Sequence, residues 1–307
     1  MTTTTEATTT EATTIDISDI TVPSVPSAAI NGQQAECRVG VHSPYRIAAD
    51  TWVIPELVNI GPGAFVPLNS MVITAAEPVI VDTGNLLSRN EWLDAAFSVV
   101  DPADVRWIFL SHDDHDHIGN LDVVLELCPQ ATLVTNHWTV ERVGRAMELP
   151  LHRMRWINSG ETFSVGDRTL VAMRPPVFDS PTTRGLFDPK TGVYWAVDTF
   201  ATASPGFTVD AAETPHDMWA EGLLDFNRLV SVWHTMVDPA KFNVSVDAVA
   251  SLGMTTIAGG HTAPLRGARI ADAFELVRRL PHLPAIELPT NADLDAILAA
   301  HAAPAAA

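Results

Sequence analysis

Apolar positions along the chain fall into short blocks, and the spacing within each block predicts its element. Thr51–Ile54 and Ser70–Ile73 predict strands, and residues 78–81 form a continuous apolar run, a buried strand that ends at Asp82-Thr83-Gly84. Residues 91–100 have helical spacing and lead into a strand over 105–110. A helix over 120–127, a strand over 132–134 and a helix over 138–147 follow. Helices then give way to strands at 162–165, 168–173, 184–187 and 193–197, with Gly and Asp turns between them. Residues 220–236 and 244–252 predict helices, 254–258 a last strand and 270–279 a further helix. Strands interleaved with helices, with a meander in the middle, predict an α/β fold of four layers, an αββα sandwich.

The ends break this pattern. Residues 1–34 are rich in Thr, Ala, Pro and Glu without a sustained period, which predicts a disordered tail. No Pro/Gly linker divides the rest, so one domain is expected over 35–285, with a helical insertion at about 210–252 and a C-terminal helix and Ala-rich tail over 286–307. Trp219 and Trp233 belong to the insertion, where core packing is their expected role and a homodimer interface a second one.

Composition narrows the function. A hydrophobic fraction of 47% is ample for a core. A formal net charge of −19 repels phosphate backbones and argues against a nucleic-acid partner, while leaving room for a small substrate drawn to a local cation. Cys37 and Cys128 are the two cysteines, too few for a disulfide framework, a rubredoxin-like iron site or a thiolate zinc cluster. With no membrane-length apolar run and no secretory signal before Arg38, a cytoplasmic protein with no membrane partner is expected.

The chemistry concentrates in Ser111-His112-Asp113-Asp114-His115-Asp116-His117-Ile118-Gly119-Asn120, directly after an apolar strand. His112 and Asp114 are two apart and leave an extended backbone on the same side. A turn would let Asp116 and His117 serve a second metal beside the first, and two ions about 3.5–4 Å apart can clamp one bridging oxygen. Asp113 and His115 are expected in solvent. Asp198 follows an apolar strand, where a carboxylate is costly unless paired with cations. His261 follows two glycines at another strand end, which lets the backbone approach a site closely. Asp82 also ends a buried strand and is expected to orient a ligand histidine.

The order Asp82-Thr83-Gly84, His112-x-Asp114-x-Asp116-His117-x-Gly119, Asp198 and Gly260-His261 resembles the metallo-β-lactamase fold superfamily. Asp114 stands where a second histidine is usual, which is similar to the His-x-Glu-x-Asp-His loop of flavodiiron and oxygen-binding di-iron proteins. The resemblance implies that His112 and Asp114 bind metal one, that Asp116, His117 and His261 bind metal two, and that Asp198 bridges them. A further histidine on metal one is usual in the family. The matching stretch, residues 174–181, has none, and Asp179 is the nearest group that can substitute, against a reading as a plain turn aspartate. Asp114, a methylene shorter than Glu, is expected to reach metal one through water. His137, His152 and His216 are expected at the surface.

Carboxylates outnumber imidazoles in this set, which suits iron and manganese better than zinc, and several anionic ligands stabilise the trivalent state that a redox role needs, so iron is expected ahead of zinc or manganese. The leading expectation is therefore a di-iron centre that binds or reduces O2, NO or peroxide. It would bind no flavin itself and would draw electrons from an external flavin reductase. The alternative is a dinuclear zinc-type hydrolase acting on an ester, lactone, thioester or phosphoester, with Asp116 as ligand or general base. A third reading is a degenerate fold with one structural metal that serves as an interaction module. Substrate contacts are expected from Phe65-Val66-Pro67, from residues 200–207 and from the helical insertion, and Arg266 is expected at the surface.

Overall fold

Successive residues of a strand leave on opposite faces, and in the central strands here both faces are apolar. Met71, Ile73, Val79, Val81 and Phe109 enter one buried cluster, whereas Val72, Ile80 and Ile108 enter another. A sheet apolar on both faces needs cover on both. In the computed structural model, which describes residues 39–61 and 63–302, it has that cover. The tail expected over residues 1–34 lies outside the described residues.

The first sheet has seven strands, in spatial order Met154–Trp156, Thr132–Thr135, Trp107–Phe109, Val79–Val81, Ser70–Ile73, Thr51–Ile54 and Tyr45–Ala48. The second has six, ordered Thr162–Ser164, Thr169–Met173, Gly185–Asp188, Val193–Trp195, Thr256–Gly259 and Thr262–Arg266. Their inner faces meet through Val81, Phe109, Phe163, Leu170, Trp195 and Ala258. The helices Arg89–Val99, Leu121–Leu127 and His137–Val143 cover the first sheet with Trp92, Leu121, Val124 and Val143. The helices His216–Val230, Pro239–Ala250 and Ala268–Arg278 cover the second with Trp219, Leu223, Val246 and Phe274. This is the expected αββα sandwich. Trp219 is 1% exposed and packs in the core.

Val79–Val81 and Trp107–Phe109 run parallel, as do Val193–Trp195 and Thr256–Gly259. Asp82, the 111–117 loop, Asp198 and His261 follow the C-terminal ends of these four strands, so the parallel pairing delivers them to one rim.

Several elements differ from the sequence pattern. The helix expected over 138–147 stops at Val143, where Gly144 caps it. The helix expected over 220–236 starts earlier and ends at Val230, and a 3-10 turn, Val232–Met236, replaces its last part. A small third sheet of Val39–Val41, Glu56–Gly61 and Ala64–Pro67 lies where the pattern predicted no strand. Thr262–Arg266, beyond the strand expected to be the last, is the edge strand of the second sheet. Among the described residues no helix is long and apolar enough to cross a membrane.

Candidate metal centre

The rim is built on strained backbone. Asp82 (φ 61°), Val197 (φ 59°) and Phe200 (φ 68°) occupy the left-handed region, which a β-branched residue such as Val197 adopts only when its surroundings force it. The Val197 turn sends Asp198 back over the end of the second sheet. There its carboxylate, 5% exposed, faces three imidazoles. Asp198 Oδ2 lies 3.1 Å from His112 Nε2, while Asp198 Oδ1 lies 3.3 Å from His117 Nε2 and 3.4 Å from His261 Nε2. The two oxygens of one carboxylate thus serve two separate clusters.

The first cluster is His112 Nε2 with Asp114 Oδ2 at 3.7 Å, Asp179 Oδ2 at 3.9 Å and Asp198 Oδ2. The second is His117 Nε2 and His261 Nε2 with Asp116 Oδ2, at 3.6 and 3.3 Å respectively, and Asp198 Oδ1. Two donors about 2.0–2.2 Å from one shared ion lie at most about 4.4 Å apart, and within each of three overlapping triads, His112–Asp114–Asp179, Asp116–His117–His261 and His112–His117–Asp198, the donor atoms lie within 4.8 Å of one another. All seven candidate ligands, with Asp179 among them, converge here.

The imidazole tautomers follow from the hydrogen bonds behind them. His117 Nδ1–H donates to Asp82 Oδ2 at 2.9 Å, and His261 Nδ1–H donates to the Pro67 carbonyl at 2.8 Å. The Ser111 hydroxyl donates to Asp82 Oδ2 at 2.6 Å, so toward His112 Nδ1, at 3.3 Å, it accepts. Each ring therefore turns an Nε2 lone pair inward. His112 Nε2, His117 Nε2 and Asp198 Oδ1 are buried without a hydrogen-bond partner. Buried polar atoms left unpaired are costly, and here they all point at the same two spots, as metal ligands would.

The electrostatics agree. Burial and the neighbouring His117 push His112 down, yet the Asp198 and Asp114 carboxylates prevail and raise it to about 10. His117 is likewise raised against burial by Asp116, Asp82 and Asp198. Asp198 stays well below the usual carboxylate range, because His112, His261 and His117 outweigh its burial. Asp179 is raised by burial and by Asp198. The carboxylates that raise these imidazoles would also attract a cation, and binding it at Nε2 would require the neutral rings and release any proton held there.

Close approach needs glycine at two points. A Cβ on Gly260 would meet His117 Cε1 at 2.8 Å, and one on Gly119 would meet the Leu86 amide nitrogen at 2.4 Å. Asp82 supports the rim as expected and more widely than expected, since its carboxylate also accepts from the Ser111 amide at 2.7 Å and Trp195 Nε1 at 3.2 Å.

The family model described as "ODP family beta lactamase" matches residues 66–261, from the third sheet to the last candidate ligand. The chain belongs to the ODP family of β-lactamase-fold proteins. Among the curated relatives of this ODP-family chain, the anaerobic nitric oxide reductase flavorubredoxin of Salmonella typhi is 22% identical over 192 residues, covering 60% of this chain and 40% of the relative. The rubredoxin-oxygen oxidoreductase of Megalodesulfovibrio gigas is 27% identical over 134 residues, covering 42% and 30%. The chain therefore spans well under half the length of these relatives. In fold it is similar to the flavodiiron protein from Giardia intestinalis, with a TM-score of 0.69 at 14% identity over 80% of this chain and 60% of that one. The match places the chain in the ODP branch of the β-lactamase fold, as the resemblance implied.

Other placements differ from expectation. Asp113 is not in solvent: its side chain is 7% exposed, paired with Arg142, and accepts from Thr182 Oγ1 at 2.7 Å. Its place between four metal-capable residues hid this, because the partners lie 29 and 69 positions away. Asp179 does not bond its neighbour Ser180 through its side chain but accepts from Thr183 Oγ1 at 3.2 Å. Phe200, expected near substrate, is fully buried against Phe274. Arg266 is tied to Asp210 at 2.9 Å. The helical insertion does reach the rim, through Phe226, whose ring stacks over His261 at 5.6 Å. His115, His137, His152 and His216 are exposed, as expected.

Proposed function

We propose that this ODP-family chain holds a dinuclear iron centre and uses it to bind or reduce O2, NO or peroxide, with electrons from an external donor. One observation carries the reading. The single carboxylate of Asp198 divides its oxygens between two clusters whose other donors are three imidazoles and three carboxylates. When bound, two such ions supply a pair of adjacent electrons and a polarising centre for a diatomic or peroxide substrate. His112, Asp114 and Asp179 would hold one ion, Asp116, His117 and His261 the other. The residues around them shape access. Asp82 holds the His117 ring, the Pro67 carbonyl holds His261, and the Phe226 ring lies over His261.

The names of two relatives, a nitric oxide reductase and an oxygen oxidoreductase, support this substrate class. The hydrolytic reading draws no such support. The protein is proposed to bind no flavin through the residues of this domain and to accept electrons from a separate flavin reductase, in a cytoplasmic setting.

The test is elemental analysis and a visible spectrum of protein grown in iron-supplemented medium, followed by anaerobic reduction and exposure to O2 or NO. Two irons per chain and a charge-transfer band bleached by reductant and restored by O2 are expected. Stoichiometric zinc with lactone or ester turnover would overturn the proposal.

A further inference from the structure

The two clusters are not copies of each other. Around His112 one nitrogen faces three carboxylates, from Asp114, Asp179 and Asp198. Around Asp116 two nitrogens, from His117 and His261, face two carboxylates. Imidazole donors sharpen preference along the series from manganese to iron to zinc, and oxygen donors flatten it, so the His112 cluster discriminates least against Mn(II).

The hydrogen bonds behind the ligands point the same way. His117 leans on a fully buried carboxylate, Asp82, and His261 on a peptide carbonyl, both of which strengthen the ring as a donor. His112 has only a hydroxyl at 3.3 Å, from Ser111, and that hydroxyl already donates to Asp82. Exposure is the third difference. The difference lies in one residue: Asp114 is 49% exposed in its side chain, whereas Asp179 and Asp116 are each 20% exposed and the rings of His112, His117 and His261 are 0%, 1% and 12% exposed. A cation at the His112 cluster is therefore reached by water and by competing chelators from the Asp114 side.

We propose that the two positions are chemically unequal: the Asp116–His117–His261 position fills first and retains iron, while the His112–Asp114–Asp179 position is an exchangeable oxygen-donor site that accepts Mn(II) beside iron. The inference rests on the dinuclear reading above. Its loop is built for this role. Thr183 holds Asp179 Oδ1 and leaves Oδ2 free toward His112, and Asp113 anchors the same loop through Thr182.

The test uses the purified full chain, stripped with chelator under nitrogen and reloaded. One equivalent of Fe(II) is added, then equal Fe(II) and Mn(II), and anomalous diffraction at the iron and manganese edges assigns each position. Iron alone beside His261, and manganese confined to the position beside His112, is the expected result. Release into a competing chelator is expected to be about ten- to a hundredfold faster from the His112 position. Asp179→His restores an imidazole there and is expected to exclude manganese and slow release. Manganese spread equally over both positions, first filling beside His112, or equal release rates would each overturn the inference. A chain that takes up one ion or none fails the dinuclear reading itself, which a clean two-ion uptake without selectivity does not.

Discussion

Gly260 offers the sharpest perturbation of the rim. Its φ is not in the left-handed region, so alanine is compatible with the backbone there. The obstacle is a side chain. An added Cβ would lie 2.8 Å from His117 Cε1 and 3.2 Å from both His117 Nε2 and Asp198 Oδ1. Carbon atoms prefer about 3.5–4.0 Å, so something must move by roughly 0.7 Å or more. The backbone cannot retreat easily, because the Gly260 amide donates to the Val197 carbonyl at 2.7 Å and its own carbonyl accepts from the Asn69 amide at 2.7 Å. The ring of His117 must yield, although Asp82 holds its far side at 2.9 Å. Overpacking of this kind costs about 1–3 kcal/mol of stability. A ligand imidazole displaced by this much lowers metal affinity about 10- to 100-fold. The assay is chelator competition with Fe(II) or Zn(II) on Gly260→Ala, with thermal unfolding of the stripped protein alongside. Gly206→Ala, where a Cβ meets open space, is the control. Unchanged metal affinity with a lowered Tm would refute the reasoning, since it would mean that His117 is packed there but binds nothing.

Three further outcomes follow from the same geometry. Asp82→Asn turns an amide donor either toward His117 Nδ1–H and Trp195 Nε1–H or toward the Ser111 N–H, and metal affinity is expected to fall about 10- to 100-fold in equilibrium dialysis. Asp113→Ala frees Thr182 and Arg142, so the ion beside His112 is expected to bind more weakly while the ion beside His261 is unaffected, read by stepwise calorimetric titration. Burial, opposed by the Ser88 hydroxyl and the Asn85 amide, lifts Glu56 from 4.5 to about 7. Folding thus favours protonated Glu56: its contribution is fully present below pH 4.5 and is lost as pH rises through about 7. At about 1.4 kcal/mol per pH unit the swing is about 3 kcal/mol, and Glu56→Gln is expected to flatten that part of the urea-denaturation profile between pH 4.5 and 7.

Asp82, His112, Asp198 and His261 were legible as candidates because each follows an apolar run. Periodicity located the strands at Val79–Val81, Trp107–Phe109 and Thr256–Gly259, and the polar residue after each one was then conspicuous. Asp198 was legible for the same reason, although the turn at Val197 that aims it was not, since a valine with positive φ has no signature in sequence. Asp179 lies in a proline-bounded loop without period, and only the hydroxyl of Thr183 and the approach to His112 separate it from an ordinary turn aspartate. Asp113 and Phe226 were illegible because their partners are set by tertiary packing between distant elements: the loop with the 137–143 helix, and the 216–230 helix with the last ligand. The third sheet was not legible because its strands are short and bounded by Pro55, Gly61 and Pro67, residues that ordinarily interrupt strands.

The measurement that bears most directly on the centre is the anomalous difference map of iron-loaded crystals at the iron edge, wild type beside Asp198→Ala. The account predicts two peaks in the wild type, one against each carboxylate oxygen of Asp198, with His112 at the first and His117 and His261 at the second. It predicts the loss of at least one of them in the variant. A single peak, or peaks that leave the carboxylate of Asp198 uncoordinated, would contradict it.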